Sequence, residues 1–311
     1  MKIGNRVIGP GEPCYIIAEI GINHNGSKDT AKLLIRAAQA SGADAVKFQK
    51  RLLPRCVPEH MRDKPKVLQD GTTTTYLEYK EGLEFSTTEY IELADYAHSL
   101  GLDFGVSVWD TVSPHWAADL GVYPEKGGDV LPCKIDFLKI PSAAMADEAI
   151  VHHTATRGLP FIWSTGMYSL SEILVTRDWL YGYTFNNWGV LHCNSSYPAD
   201  PSELNLRVIP AWRRNSLFRG HAIGYSGHEV GLAPTVAAAV LGADIIERHI
   251  TLDRSMWGSD HSASVEPQGF TRLVNDIRTI EAALGDGNKV VYPSELKKKE
   301  SLVSTPLTKG S

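Results

Sequence analysis

Eight short apolar runs punctuate this chain, and each is followed by a segment with helical spacing. The first, CYIIAEI at 14–20, is apolar at successive positions, which suits a strand buried on both faces. A helix over 31–40 follows, with Ser27 or Asp29 placed to cap it and Gly42 to close it. The next strand, 45–48, completes a strand–helix–strand unit, and such a crossover implies a parallel pair. Further strands are expected at 104–108, 137–140, 160–164, 190–193, 222–226 and 244–247. Helices are expected at 87–100 behind Ser86, then at 111–120, 147–156, 170–180, 232–241 and 267–284. Between 204 and 215 the helix is ill-defined, because Pro210 interrupts it.

Eight strand–helix pairs within about 250 residues are the pattern of an α/β chain folded as a (β/α)8 TIM barrel. A doubly wound open sheet shares the alternation, since strand order leaves no mark in sequence. Neither GxGxxG nor GxxxxGK[ST] follows a strand, so a nucleotide-binding fold has no support. The barrel is expected to occupy 1–285, with a polar tail over 286–311 whose Lys297–Lys299 cluster reads as a solvated face. Two stretches break the rhythm, a proline-containing and threonine-rich loop over 51–84 and a Gly/Pro loop over 121–134. Long loops in compact domains are commonly functional.

A net charge of −5 with no basic block argues against nucleic acid or an anionic membrane as partner. The four cysteines, Cys14, Cys56, Cys133 and Cys193, are scattered without a CxxC pair, so a disulfide scaffold is not expected. Cys14 and Cys193 are expected to fill core space. No secretory leader or membrane-length apolar run is evident, which points to a soluble, cytoplasmic chain.

In a barrel the site collects at the C-terminal ends of the strands and in the loops after them. Here those positions hold Glu19, Asn23, His24, Lys47, Gln49, Ser107, Asp110, Lys139, Ser142, Ser164 and Thr165. Asn194, Ser195, Tyr197, Ser226, His228, Glu247, His249, Asp253 and Asp260 complete the set. His228 and His249 end successive strands with one helix between them, the placing of a two-histidine divalent-metal site or of two ordinary loop histidines. Lysines at two interior strand ends admit three readings. They form internal ion pairs with Glu19 or Glu247, they hold a small dianion such as phosphate, or one of them condenses with a carbonyl. Bottom-up, the set fits a small phosphorylated or carboxylated anion, a polyol-like substrate and a divalent Lewis acid.

Six segments resemble the sialic acid (N-acetylneuraminate) synthase family. They are IAEIGINHNGSKDTAKLLIRAAQASGADAVKFQK (17–50), LKIPSA (138–143), STGM (164–167), HCNSSYPA (192–199), IGYSGHEVG (223–231) and IERHITLDRSMWGSDHSASVEP (246–267). They span the whole barrel in order. The resemblance implies an enzyme that condenses phosphoenolpyruvate with an aldose, an N-acetylhexosamine or a related sugar. Its product is a nonulosonic or related 2-keto-3-deoxy acid, with release of phosphate. It further implies a cytoplasmic homodimer and a divalent cation on His228 and His249, manganese first, with magnesium, cobalt or zinc as alternatives. Lys47, Lys139 and Ser142 would bind phosphoenolpyruvate, with Ser195, Tyr197 and Ser226 around it. Glu19 and Asp260 would face the sugar or the catalytic water, and Glu247 the sugar hydroxyls.

The chain departs from the family pattern in three places. Ala144 stands where members often carry a glutamate, and the order Asn194-Ser195-Ser196 shifts an expected amide. The C-terminal antifreeze-like domain of many members, with its arginine, is expected to be missing. Two competing functions remain, another metal-dependent barrel enzyme such as a sugar epimerase or lyase, and a non-catalytic homologue.

Overall fold

In a computed structural model, which describes residues 1–53, 55–120, 134–183 and 187–304, the eight apolar runs all become parallel strands. They are β1 (Tyr15–Gly21), β2 (Ala45–Lys50), β3 (Asp103–Val108), β4 (Phe137–Ile140), β5 (Phe161–Ser164), β6 (Trp188–Cys193), β7 (Ala222–Gly227) and β8 (Ile245–His249). Each bonds to its successor, and β8 bonds back to β1, closing the barrel. An open sheet would leave two strand edges unpaired, so the doubly wound alternative is excluded. The stretch 121–133, with Cys133, lies outside the described residues.

The helices are α1 (Lys28–Ala40), α2 (Thr87–Ser99), α3 (Ser113–Asp119), α4 (Glu148–Ala155), α5 (Leu170–Tyr183), α6 (Val208–Arg214), α7 (Ala233–Val240) and α8 (Pro267–Leu284). Two starts follow predicted caps, Ser27 and Ser86, while Asp147, expected as a helical residue, is itself the cap of α4. Ser27 accepts from the Thr30 amide, Asp147 from that of Ile150, and Ser86 forms a reciprocal capping box with Glu89. Pro210 does not break α6. It lies in the first turn, where its missing N–H would have had no intrahelical partner. A further helix, Pro293–Leu302, follows α8.

Along the strands, alternate residues serve two cores. Ile16, Ala18, Val46, Phe48 and Val106 pack outward against the helices, while Tyr15, Ile17, Ala45, Phe137 and Ile245 fill the lower interior. An N-terminal hairpin (Lys2–Ile3 with Arg6–Val7) closes that end, its Ile3 joining Ile8 in the interior cluster. Gly105 is required there, because a Cβ would lie 2.2 Å from the Phe137 ring. Towards the C-terminal ends the buried positions turn polar, through Glu19, Lys47, Ser107, Lys139, Ser164, Ser226 and Glu247. This switch from apolar to ionic filling is what makes one end of the barrel a site.

The loop between β7 and α7, which starts at His228, is held by a buried arginine. Arg248 donates to the Glu229 carboxylate at 3.1 Å, the Glu229 carbonyl at 2.7 Å, the Gly231 carbonyl at 3.0 Å and Thr235 Oγ1 at 2.7 Å. Removing one partner of such a pair strands the other charge in the interior. Arg248→Met is therefore expected to cost about 3–5 kcal/mol of stability in urea unfolding, and a change below about 1 kcal/mol would show the network to be dispensable.

Candidate active site

Four charges meet on the barrel floor of the upper cavity. Lys47 forms an ion pair with Glu19, donates to Ser107 Oγ at 2.6 Å and stands 3.6 Å from Glu247. Lys139 forms an ion pair with Glu247, which also accepts from Ser226 Oγ at 3.0 Å. Barrel register produces these meetings, since Glu19 pairs with Lys47, Ser107 with Lys139, and Ser226 with Glu247 on neighbouring strands. Of the three readings the lysines allow, the internal ion pairs are present in this structure.

The two carboxylates are not equivalent. Burial raises the Glu19 carboxyl above its ordinary range, the Glu247 charge adds to this, and the two lysines only partly offset it. Burial also pushes Glu247 upward, but the ammonium groups of Lys139 and Lys47 outweigh it and hold this carboxyl well below the usual range. Glu19 thus takes up a proton more readily than Glu247, and with Glu19 neutral the cluster carries excess positive charge. Such a floor can receive an anion.

The linkage signs differ accordingly. The raised Glu19 contributes stability below its ordinary pKa, lost as pH rises through the folded value. The depressed Glu247 contributes stability above its ordinary pKa, lost as pH falls through the folded value. At pH 8, Glu19→Gln is expected to change stability by less than about 1 kcal/mol, and Glu247→Gln to cost about 3–5 kcal/mol. Thermal unfolding of the two variants checks this, and equal costs would contradict the asymmetry.

Above the floor stand the two histidines, ring centres 5.6 Å apart. His228 Nδ1 lies 2.7 Å from the Asn194 carbonyl oxygen, to which it donates when protonated there, leaving Nε2 to face Tyr197 Oη at 3.0 Å. His249 Nδ1 is buried with no hydrogen-bond partner, and the nearest Asp260 oxygen is 3.8 Å away. Burial holds the His249 imidazole down to about 3, so it is neutral at neutral pH. A carbonyl-oriented ring beside an orphaned, neutral one suits a divalent cation. Among the described residues no three His, Cys, Asp or Glu side chains converge on one point. The chain would therefore supply two ligands and leave the remaining positions to substrate and water.

The cavity, of about 250 Å³, is lined by Glu19, Lys47, Lys139, Ser142, Ser195, Tyr197, Ser226, His228, Glu247 and His249, all expected from the sequence. Asp260 is not among its lining residues, though it stands near His249. Gly166 donates its amide to Ser142 Oγ at 3.0 Å, and a Cβ there would fall 2.1 Å from Ser195 Oγ. That glycine keeps a small polar recess open between the two serines.

Some strand-end candidates do not line the cavity and make local contacts instead. His24 packs 4.4 Å from the Phe85 ring, Asn23 donates to the Ile250 carbonyl, and Asp110 accepts from the amides of Leu52, Val112 and Ser113. Asp253 caps an exposed turn at Ser255. Cys193 is buried as expected and also lines the cavity, its sulfur 3.8 Å from His228 Nδ1. Trp109 and Met167 line it too and were not picked out from sequence. Their signal was position alone, directly after β3 and β5. Ala143 lines the cavity, whereas Ala144 is buried in the layer beneath the helices.

The model of the NeuB family matches residues 34–289. The chain belongs to the NeuB family. It is 38% identical over 304 residues to the N-acetylneuraminate-9-phosphate synthase of Mus musculus, covering 98% of this chain and 80% of that protein. It is 36% identical over 299 residues to the N,N'-diacetyllegionaminic acid synthase of Legionella pneumophila, covering 94% and 79% respectively. Among solved structures, the sialic acid synthetase of Leptospira borgpetersenii in complex with citrate matches with a TM-score of 0.80 at 27% identity, covering 98% of both chains. This NeuB-family chain is an enzyme, a condensing synthase of the transferase type. Among the described residues no helix is long and apolar enough to cross a membrane.

Proposed function

We propose that this NeuB-family chain condenses phosphoenolpyruvate with the open-chain aldehyde of an N-acetylhexosamine or related aldose. The products are a nonulosonic, sialic-acid-like acid, or a related 2-keto-3-deoxy acid, and phosphate. The observation that carries the reading is the buried Lys47–Glu19–Glu247–Lys139 cluster directly beneath the paired imidazoles. It supports a reading in which anion binding and aldehyde activation share one cavity.

In this reading Lys47, Lys139, Ser142 and Ser195 hold the phosphate and carboxylate of phosphoenolpyruvate, with Tyr197 and Ser226 around it. Displacement of Glu19 from Lys47 accompanies binding, and its raised affinity for a proton makes that exchange inexpensive. His228, through Nε2, and His249 would hold a divalent cation, which would supply Lewis-acid polarisation of the aldehyde oxygen. Manganese, magnesium, cobalt and zinc all accept imidazole together with oxygen ligands.

The C3 carbon of phosphoenolpyruvate forms the new bond to the aldehyde carbon, whose oxygen takes the proton that Glu19 gained on release from Lys47. Water then adds through oxygen to C2 and returns a proton to the Glu19 carboxylate so formed, on the cavity floor. The C2–O bond to the phosphate then breaks, phosphate leaves, and C2 becomes the ketone. Glu247, pinned by two lysines and Ser226, stays charged and keeps the cations in place. In this reading Asp260, 3.8 Å from His249 Nδ1, serves the sugar or the catalytic water.

The test is phosphate release from phosphoenolpyruvate by Mn²⁺-loaded protein across a panel of aldoses and their phosphate esters. Release that requires both metal and aldose, with a keto acid formed in equal amount, is the expected result. Metal-dependent change of a sugar without phosphate release would favour an epimerase or lyase instead.

A further inference from the structure

The segment 194–199, directly after β6, grips His228 and leaves His249 alone. The Asn194 carbonyl oxygen lies 2.7 Å from His228 Nδ1, the Tyr197 hydroxyl lies 3.0 Å from Nε2, and the Ala199 amide donates to the His228 carbonyl at 3.1 Å. The Tyr197 ring also stacks on this imidazole, with centres 4.1 Å apart and planes 30° from parallel. Towards His249 the same ring is only edge-on, at 5.9 Å. Among the described residues, His249 Nδ1 is buried without a hydrogen-bond partner. Of the two imidazoles, then, one has an unengaged nitrogen, and on the other both nitrogens are taken by one loop.

The chemistry of the His228 contacts is one-directional. A carbonyl oxygen only accepts, so Nδ1 carries the proton, and Nε2 of the neutral ring presents its single lone pair. The Tyr197 phenol, protonated at neutral pH, donates to that lone pair. A cation on Nε2 needs the same electrons. The hydrogen bond and the coordinate bond exclude each other.

Tyr197 is also able to leave. Although it lines the cavity it is 46% exposed, so turning its ring outward uncovers little buried apolar surface. Asn194 and Ala199 keep the loop anchored on His228 while the ring between them turns. A neutral hydrogen bond is worth only about fivefold in an equilibrium, enough to close the nitrogen without barring metal entry.

We propose that Tyr197 is a latch on the metal centre. Its hydroxyl stoppers His228 Nε2 until a divalent cation displaces it, and the freed hydroxyl then serves as a donor to an oxygen entering the cavity. Metal entry therefore precedes substrate entry and releases a group the substrate uses. The latch rests on the two-histidine metal reading of the site.

The test is calorimetric titration of Mn²⁺ at pH 8 into the wild-type chain and into Tyr197→Phe, without substrate. The variant keeps the ring and loses only the hydroxyl, so it should bind Mn²⁺ about fivefold more tightly. On Mn²⁺ addition the wild-type near-UV absorbance should show the shift of a tyrosine that has lost a hydrogen bond, and the variant should lack that shift.

Equal affinity in the two proteins would overturn the latch. Weaker binding by the variant would also overturn it, and would make the hydroxyl a metal ligand instead. The same absorbance shift in both proteins would place the change at another tyrosine and count against the latch equally. If no aldose elicits phosphate release from phosphoenolpyruvate, the synthase reading fails, while these two comparisons still decide the latch. Mn²⁺ binding absent from both proteins would overturn the latch together with the metal centre.

Discussion

Replacing Lys47 by Met is expected to abolish phosphoenolpyruvate binding and to lower kcat/KM by about a thousandfold or more. The Lys47 side chain is almost wholly buried and is the cation shared by Glu19 and Glu247. Without it, Glu19 and Glu247 share a single ammonium, and an incoming anion no longer meets excess positive charge. The same imbalance threatens the fold, at about 3–5 kcal/mol for a broken buried pair. Lys47→Met/Glu19→Gln restores neutrality, so it should recover most of the stability without recovering binding. Calorimetric titration and urea unfolding on both variants separate the two effects. Wild-type affinity in either would remove Lys47 from the site.

His249→Ala, and likewise His228→Ala, should eliminate tight Mn²⁺ binding by titration and reduce turnover by about a thousandfold. Among the described residues no third His, Cys, Asp or Glu side chain converges on the two imidazoles to compensate for losing one. His249 adds a pH signature. Its folded pKa, about 3, lies below the ordinary value of roughly 6.5 for histidine. The unfolded chain binds that proton first, so this residue's contribution to stability is present above 6.5 and is lost as pH falls towards 3. His249→Ala should flatten that part of the stability–pH curve, whereas an unchanged slope together with unchanged Mn²⁺ affinity would contradict both roles.

Sequence and structure agree best where a local rule decides the outcome. Continuous apolar runs such as YIIAEIG, and helices announced by Ser27 and Ser86, were legible because their causes lie within a few residues. Boundaries shifted where pairing carried on past the apolar run. His249, expected just beyond its strand, is the last residue of β8, because Glu19 of β1 pairs with it.

In the site, the strand-end lysines and histidines were visible as misplaced polar residues. Ion pairing with Glu19 or Glu247 was one of three readings open for the lysines, but which lysine meets which carboxylate was not legible, since that depends on barrel register. Arg248 and Glu229 read as ordinary strand and loop charges until the fold buries them together. Arg51 and Trp109 are far apart in sequence and meet only because β2 and β3 are neighbours. The structure also places Ala143, not Ala144, on the cavity, a distinction one residue finer than spacing resolves.

The most direct measurement of the central claim follows the bridging oxygen of phosphoenolpyruvate. Carbon–carbon bond formation followed by water addition at C2 requires the C2–O bond to break. With ¹⁸O in that bridge and Mn²⁺-loaded enzyme turning over its acceptor, the label should appear in the released phosphate. Label retained in an organic product, with unlabelled phosphate, would mean cleavage at phosphorus and would contradict condensation at this site.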